Sequence, residues 1–368
     1  SPVYGGAEEY VYQIAHTLGT NSYRFTFMHD SESRLDEFTR RLSEGGVKVE
    51  VMEKIRGKTD IKNFIRQVKE FRRLSPDIVH FNQSNPYSQQ YSVLAARLAG
   101  VRNLLATYHL TPRRSTLTLR GRLFEKLLVK LYKQVIVSSE QNRAEITARF
   151  HVADKNVKVM ANGVEDFDTI TAAEIADLKN ELDIHDDKHI VSCAGRLTRQ
   201  KGFGFLLEAL HLLGREDAVL VMTGDGPLGP HLESRAQKLG IEQAVLFTGF
   251  RNDVRKILCL SEFVVIPSLY EGQPLILLEA MAAGKAVIAS RVYGLRDTVK
   301  DGETGILVDP GDPEQLTEAM GKLLDDPLLC RQMGQRGRER YEREYSLQRF
   351  HNRIEEVYVG LSDKRRNQ

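Results

Sequence analysis

Short apolar runs alternate with stretches of helical period along most of the chain. In the first half the runs fall at 25–28, 47–52, 78–81, 104–108, 135–137 and 157–160, each short enough for a buried strand. Between them, apolar residues recur every three or four positions near 33–44, 60–74, 88–99, 118–133 and 140–150, which predicts helices. The pattern resumes in the second half, with strands from Ile190 and at Ala218–Thr223, 245–248, Phe263–Ile266, 286–289 and 304–308. Helical patterns at 312–325, 327–343 and 346–361 close the chain. Such alternation builds α/β domains with open parallel sheets, whose ligands bind beyond the carboxyl ends of the strands. Between the halves, Asn162-Gly-Val-Glu-Asp-Phe167 follows the last strand of the first half. The stretch 168–182 is polar and acidic and reads as a linker with one helix.

The stretch from Glu262 to Ser290 shows the pattern most sharply. Pro267 stops the apolar run Phe263–Ile266, and a loop follows to Gln273. Pro274 suits the first turn of the next helix, where its missing N–H would be unpaired anyway. Gly284 ends that helix before the next strand begins at Ala286. Within the helix Glu279 is out of place, because Leu275, Ile276, Ala282 and Ala283 lie one turn away on either side. A carboxylate on such a face is costly unless something polar meets it. Glu271 stands in the loop with seven residues between the two acids. The unpaired N–H groups of Gln273 to Ile276 favour an anion in the same space. Two carboxylates that accept hydroxyl protons beside an anion site suggest a ligand with both hydroxyls and phosphate. The other reading is that Glu279 pairs with a lysine or arginine elsewhere.

Length and charge narrow the classes. A chain of 368 residues and 41.7 kDa points to two domains. Three scattered cysteines, Cys193, Cys259 and Cys330, show neither metal-ligand spacing nor an even disulfide framework, which fits a reducing compartment. No apolar run approaches the roughly 20 residues that span a bilayer. No signal peptide is visible, so a cytoplasmic protein is expected. Residues 1–162 hold 26 Lys+Arg against 16 Asp+Glu, whereas residues 163–368 hold 26 against 34. Such asymmetry suggests different partners for the two halves, or attraction between them. Arg113 to Lys133 carries seven basic residues and one acid beside the apolar stripe Leu123, Leu127, Leu128 and Leu131. It reads as a core helix with a solvated basic face, or as a surface for an anionic membrane or lipid phosphate. Nucleic acid is disfavoured, because aromatic interleaving is missing.

Several further stretches hold polar residues at strand ends. Gly5-Gly6 precedes a helical pattern of Val11, Ile14, Ala15 and Leu18, and paired glycines let backbone approach a ligand. His109 ends the strand at 104–108, either packed there or lining a ligand cleft. After the strand from Ile190 come Gly195, Arg196, Lys201 and Gly202; two cations at a strand end are either simply exposed basic residues, the reading the loop by itself favours, or a grip for a diphosphate. Gly224-Asp-Gly-Pro-Leu-Gly229 satisfies G-x-G-x-x-G, the fingerprint of a nicotinamide dinucleotide site. Against that reading, Pro227 sits inside the turn and the strand at 245–248 ends in no ribose-binding acid.

Glu271-Gly-Gln-Pro-Leu-Ile-Leu-Leu-Glu279 resembles the E-x7-E motif of retaining GT-B glycosyltransferases, family 4 in particular. Gly5-Gly6, the Asn162-Gly-Val junction, Gly195-Arg196 with Lys201-Gly202, and Gly224-Asp-Gly-Pro227 resemble other motifs of that family and fall in its order, from Gly5 to about Phe350. Two features depart from it. The family's glycine loop follows a first, central strand that is absent here, and Tyr293, Arg296 and Asp297 replace a Val-Gly-Gly and Pro-Glu pattern. The resemblance implies a GT-B fold, two Rossmann-like domains with parallel sheets facing across a cleft. Residues 1–162 would form the acceptor side and 163–345 the donor domain. Residues 346–368 would carry a helix back to the first domain and then a polar tail.

The reaction implied is transfer of a sugar, with retention, from a nucleotide-diphosphate donor (UDP or GDP) to a glycan, lipid or small molecule. No cofactor or metal is implied. His109 would meet the donor sugar, and Arg196, Lys201 and the amides of Gly5 and Gly6 would hold the leaving diphosphate. Glu271 would hold sugar hydroxyls and Glu279 the ribose diol. Gly195, Gly224, Gly272, Gln273, Pro274 and Leu275 would line the donor, with the base near Phe250 and Arg251. Residues 113–133 could touch the inner face of a membrane. A sugar-nucleotide 2-epimerase, a nicotinamide-dependent oxidoreductase using Gly224–Gly229 and a non-catalytic sugar-nucleotide sensor are the alternatives.

Overall fold

The computed structural model describes residues 5–18, 23–31, 35–83, 89–109, 124, 126–167 and 170–362. Most of the basic stretch, including Arg113, Arg114, Arg120 and Arg122, lies outside the described residues; of the helix expected at 118–133, residues 124 and 126–129 are seen as helical. The chain divides into two compact units, Ser1–Asn162 with Gln348–Gln368, and Gly163–Leu347.

Unit 1 runs α1 (Gly6–Leu18), β1 (Thr26–His29), α2 (Asp36–Glu44), β2 (Lys48–Val51), α3 (Ile61–Leu74), β3 (Ile78–Gln83), α4 (Gln90–Leu98), β4 (Asn103–Tyr108), β5 (Gln134–Val137), α5 (Glu140–Phe150) and β6 (Val157–Val159). Asp60 accepts the Asn63 N–H at the start of α3, and Ser139 accepts that of Asn142 at the start of α5. Such caps are worth about 1 kcal/mol each. All strand pairs are parallel. β4 is buried along its whole length, as expected of a parallel strand covered on both faces. Where the strand–helix alternation predicts one open sheet, the described strands form two, β1-β2 and β3-β4-β5-β6. Periodicity counts strands but does not say which of them pair.

Unit 2 holds one six-stranded parallel sheet of β7 (His189–Ala194), β8 (Ala218–Thr223), β9 (Val245–Gly249), β10 (Phe263–Ile266), β11 (Ala286–Ser290) and β12 (Gly305–Val308). Its order is β12-β11-β10-β7-β8-β9. The chain enters at the middle, builds outward to β9, then returns to the other side of β7. The gap between the ends of β7 and β10 is therefore the switch point, where open α/β sheets place their ligands. Side chains alternate between two cores. Leu220 and Met222 of β8 join the core beneath α7 (Phe203–Leu213), with its Leu206, Leu207 and Leu210. Val221 points the other way, to Leu178 of α6 (Ala172–Glu181) and Ile257 of α9 (Val254–Leu260). The linker helix predicted in 168–182 is α6, opened by a capping box between Thr171 and Glu174. Four further helices, α8 (Gly229–Leu239), α10 (Leu275–Ala282), α11 (Leu295–Thr298) and α12 (Pro313–Asp325), precede α13 (Pro327–Glu344). The last helix, α14 (Leu347–Ser362), belongs to unit 1 from Gln348 onward.

One boundary differs from expectation. Pro274 is not in the first turn of α10 but caps it, with ψ at 137°. Its extended conformation turns the chain from the loop into the helix axis, and no side chain caps the turn that follows.

Candidate functional site

Unit 2 gathers its polar residues at the switch point. Lys201 stands at the end of the loop after β7, and Glu271 in the loop after β10. Lys201 Nζ donates to Glu271 Oε1 at 2.6 Å, and Ser268 Oγ donates to the same oxygen at 2.9 Å. The Glu271 side chain is 7% exposed and that of Lys201 17%. Both Lys201 and Ser268 spend a proton on Oε1, so Oε2 accepts no hydrogen bond among the described residues. Two hydrogen bonds hold the loops together, one between backbones, Leu269 N donating to Gln200 O at 2.8 Å, and one from the Gln200 side chain, Nε2 donating to Tyr270 O at 3.0 Å. Gly202 makes that approach possible. Its φ is +68°, and a Cβ there would lie 2.0 Å from the Pro267 carbonyl oxygen.

The neighbouring loops are fastened to this pair of loops. Leu197 N donates to Asp225 O and Leu228 N to Leu197 O, which zips the turn after β8 to the Gly195 loop. Gly224 N in turn donates to Gly249 O at the end of β9. Gln273 is buried and donates to Thr298 Oγ1 at 3.0 Å. Gly294, with φ at +72°, lies so close to Gly272 that a Cβ would sit 1.0 Å from the Gly272 carbonyl oxygen. Arg196 is exposed, and its guanidinium makes no hydrogen bond or ion pair among the described residues. Glu279 is half-buried on the second turn of α10, whereas Glu271 lies in the loop before that helix. Arg251 is already engaged. Its Nε and Nη2 fork onto Asp253 at 2.7 Å each and its Nη1 meets Glu181 at 2.7 Å, so the guanidinium pins the turn after β9. The ring of Phe250 beside it is exposed.

Unit 1 holds a second polar centre. His109, just past β4, meets the Asn82 side-chain oxygen through Nε2, and Asn82 Nδ2 donates to the Ala7 carbonyl at 2.8 Å. Tyr10 of α1 packs edge-on to the His109 ring, 4.9 Å between centroids. Its hydroxyl meets Thr107 Oγ1 at 2.9 Å. His80 Nε2 meets the same Thr107 oxygen at 2.8 Å, and His80 Nδ1 meets the Tyr358 hydroxyl of α14 at 2.9 Å. Burial disfavours charge here, so His109 is pushed down to about 4. His80 falls to about 3, through burial first and the neighbouring His109 second. Both imidazoles are therefore neutral at physiological pH. Gly5 and Gly6 open α1 and are exposed, and the Gly5 N–H is taken by Glu8 Oε2 at 2.9 Å.

Residues 4–166 match the profile described as Glycosyltransferase Family 4, and residues 174–340 that described as Glycosyl transferases group 1. The alpha-maltose-1-phosphate synthase of Mycolicibacterium smegmatis is 32% identical over 293 residues, covering 73% of this chain and 76% of that protein. The chain belongs to the family 4 glycosyltransferases. An uncharacterized glycosyltransferase of Methanocaldococcus jannaschii is 35% identical over 199 residues, so this family 4 chain spans about half the length of that relative. Anabaena HepE, crystallised in complex with UDP, superposes with a TM-score of 0.84 at 20% identity, covering 98% of each chain, which establishes the GT-B fold.

Membership of the family 4 glycosyltransferases does not favour the dinucleotide reading of the Gly224–Gly229 turn. α8 begins at Gly229, and the turn shares two backbone bonds with the Gly195 loop. Among the described residues no group of three or more His, Cys, Asp and Glu could hold a metal ion, and no helix is long and apolar enough to cross a membrane. Sequence reasoning missed Ser268, Gly294, Asn82, His80 and Tyr10. For His80 and Asn82 a signal exists, since two polar residues at alternate positions of an apolar strand share one face. Ser268 and Gly294 carry none, because Ser268 meets Glu271 within a loop of no regular period and Gly294 meets Gly272 across the intervening α10 and β11.

Proposed function

We propose that the chain transfers a sugar, with retention, from a nucleoside diphosphate donor, and that unit 2 holds the nucleotide. The observation that carries this reading is the Lys201–Glu271–Ser268 cluster at the switch point, with exposed Arg196 in the same loop as Lys201. An ammonium has three protons, and Glu271 uses one of them. The remaining protons and the unpaired Arg196 fork suit the two phosphates of a diphosphate. The start of α10, which no side chain caps, adds unpaired N–H groups and the positive end of its dipole. The UDP in the Anabaena structure supports a uridine donor.

Each residue then has a task. Glu271 Oε2 accepts from a hydroxyl of the sugar while Oε1 stays with Lys201. Glu279 accepts from the ribose diol. As the bond from the anomeric carbon to the phosphate oxygen breaks, charge grows on the diphosphate, and Arg196 and Lys201 stabilise it where it develops. The acceptor oxygen bonds to the anomeric carbon on the face the diphosphate leaves, and a phosphate oxygen takes its proton. His109 meets the sugar. The acceptor is a glycan, lipid or small molecule. The chain's own cations and helix ends neutralise the diphosphate, so neither metal nor cofactor is required.

The test is a panel of UDP- and GDP-sugars with candidate acceptors, following nucleotide release and the anomeric coupling of the product. Product of inverted configuration overturns retention, and absence of any nucleotide binding overturns the reading as a whole. Calorimetry separates the acids. Glu279→Gln weakens UDP and donor alike, whereas Glu271→Gln spares UDP and damages turnover; unchanged UDP affinity in Glu279→Gln removes the ribose assignment.

A further inference from the structure

His109 has two ring nitrogens, and the hydrogen bonds around Asn82 decide which carries the proton. Asn82 Nδ2 donates to the Ala7 carbonyl at 2.8 Å, so the other end of the amide, facing His109 Nε2, is a carbonyl oxygen. Turning the amide over would set two acceptors against each other at Ala7. An oxygen that can only accept requires a donor opposite, so Nε2 bears the hydrogen. A neutral imidazole has one N–H, which leaves Nδ1 with a lone pair and no partner among the described residues. The edge of Tyr10 against the ring fixes its plane. Tyr10 is held in turn through Thr107 and His80 to Tyr358.

We infer that Asn82 is a positioning residue. It locks His109 as the Nε2–H tautomer, presents Nδ1 as a hydrogen-bond acceptor to a hydroxyl of the donor sugar, and ties the ring to the first turn of α1 through Ala7. The sugar half of this inference rests on the reading of His109 given above; the tautomer half rests on the hydrogen bonds alone. A general acid at this position would need the opposite arrangement, a proton on the nitrogen that faces the substrate. Asn82 therefore makes the ring a selector of hydroxyl geometry, one that discriminates between donors differing in a single hydroxyl.

Protein carrying 15N-histidine, with the His109 signals assigned by their loss in His109→Gln, reads the tautomer directly from two-bond proton–nitrogen correlations at neutral pH. The expected pattern is a neutral Nε2–H ring in the native chain and a mixture of both tautomers in Asn82→Leu. A native ring found as the Nδ1–H form or as imidazolium overturns the inference without recourse to any variant. So does an Asn82→Leu protein whose tautomer is unchanged. Asn82→Leu is also expected to lower kcat/KM for the UDP-sugar about tenfold, the size of one hydrogen bond, with affinity for UDP preserved. If the tautomer behaves as expected while Asn82→Leu and His109→Gln both transfer at the native rate, the sugar half falls and the tautomer half stands.

Discussion

At the residue scale the site separates two cations that the sequence presents as a pair. Arg196 is exposed and unpaired, whereas Lys201 is committed to a buried carboxylate. If Arg196 holds the diphosphate as proposed, Arg196→Ala removes that contact and little else. A charge-assisted hydrogen bond contributes ~1.5–3 kcal/mol, so UDP affinity should fall roughly ten- to a hundred-fold with the melting temperature unmoved. Lys201→Ala should weaken UDP similarly and also destabilise the fold, because Glu271 is left buried without its counter-charge, at a cost of about 3–5 kcal/mol. Titration calorimetry with UDP and thermal melts of both variants check this; equal melting temperatures for the two would contradict the buried pair. Glu271, Lys201 and Arg196 were legible from motif and strand-end position. Their division of labour was not, because the Lys201–Glu271 bond joins residues 70 apart and depends on which strands are neighbours. The histidines of unit 1 add a prediction of opposite chemistry. Burial holds His80 near 3 and His109 near 4, below the ordinary 6.5. Between those values the unfolded chain binds protons that the folded chain does not, so stability rises with pH across that window. The contribution is complete above about pH 6.5 and is lost as pH falls toward 4. Melting temperatures measured from pH 7 to 4.5 should fall more steeply for the native chain than for a His80→Gln, His109→Gln double variant, and parallel slopes would refute the buried neutral pair.

At the scale of elements, periodicity was a good guide to existence and a poorer one to ends and partners. The strands at Phe263–Ile266 and Ala218–Thr223 stand where the apolar runs place them, since a run buried on both faces has no other length available. Pro274 shows the limit. Its missing N–H is compatible with either the cap or the first turn, and only the direction of the incoming loop decides between them. The pairing of strands is further from reach, and the two sheets of unit 1 were not foreseen. Gly294 belongs to the same class, since the Val292 to Asp297 stretch departs from family pattern in side chains but keeps the glycine that lets it lie against Gly272. The role of the basic stretch 113–133, most of it outside the described residues, rests on composition alone. If it meets anionic lipid, each Lys or Arg near the surface adds ~1 kcal/mol. Sedimentation with vesicles should then show binding to acidic but not neutral lipid, fading with added salt and with charge reversal of Arg113, Arg114, Arg120 and Arg122. Equal partition into both lipids, or into neither, leaves a solvated basic face.

At the scale of the whole molecule the two units differ in how completely their sheets are joined, and that difference should set the order of unfolding. Unit 2 has six strands in one sheet with helices burying both faces, so each inner strand is paired on both sides. In unit 1, β1 and β3 are each paired on one side only among the described residues, and the two-stranded piece depends on side-chain packing around Phe38 and Leu42 for its support. A two-stranded ribbon is marginal by itself, and an unpaired strand edge exposes backbone groups whose hydrogen bonds a neighbour would otherwise supply. Unit 1 should therefore open first in urea, with hydrogen exchange at Thr26–His29 and Ile78–Gln83 losing protection before Phe263–Ile266. UDP provides the second half of the test. If unit 2 holds the nucleotide, UDP at a hundred times its Kd adds about 2.7 kcal/mol to the stability of that unit. The later transition should move to higher urea while the earlier one stays in place, widening the interval between them. The chain has no tryptophan, so circular dichroism paired with exchange at the named strands is the suitable readout. A single transition shifted as a whole by UDP would show that the units unfold as one body, and a shift confined to the strands of unit 1 would move the nucleotide out of the switch point at Lys201 and Glu271.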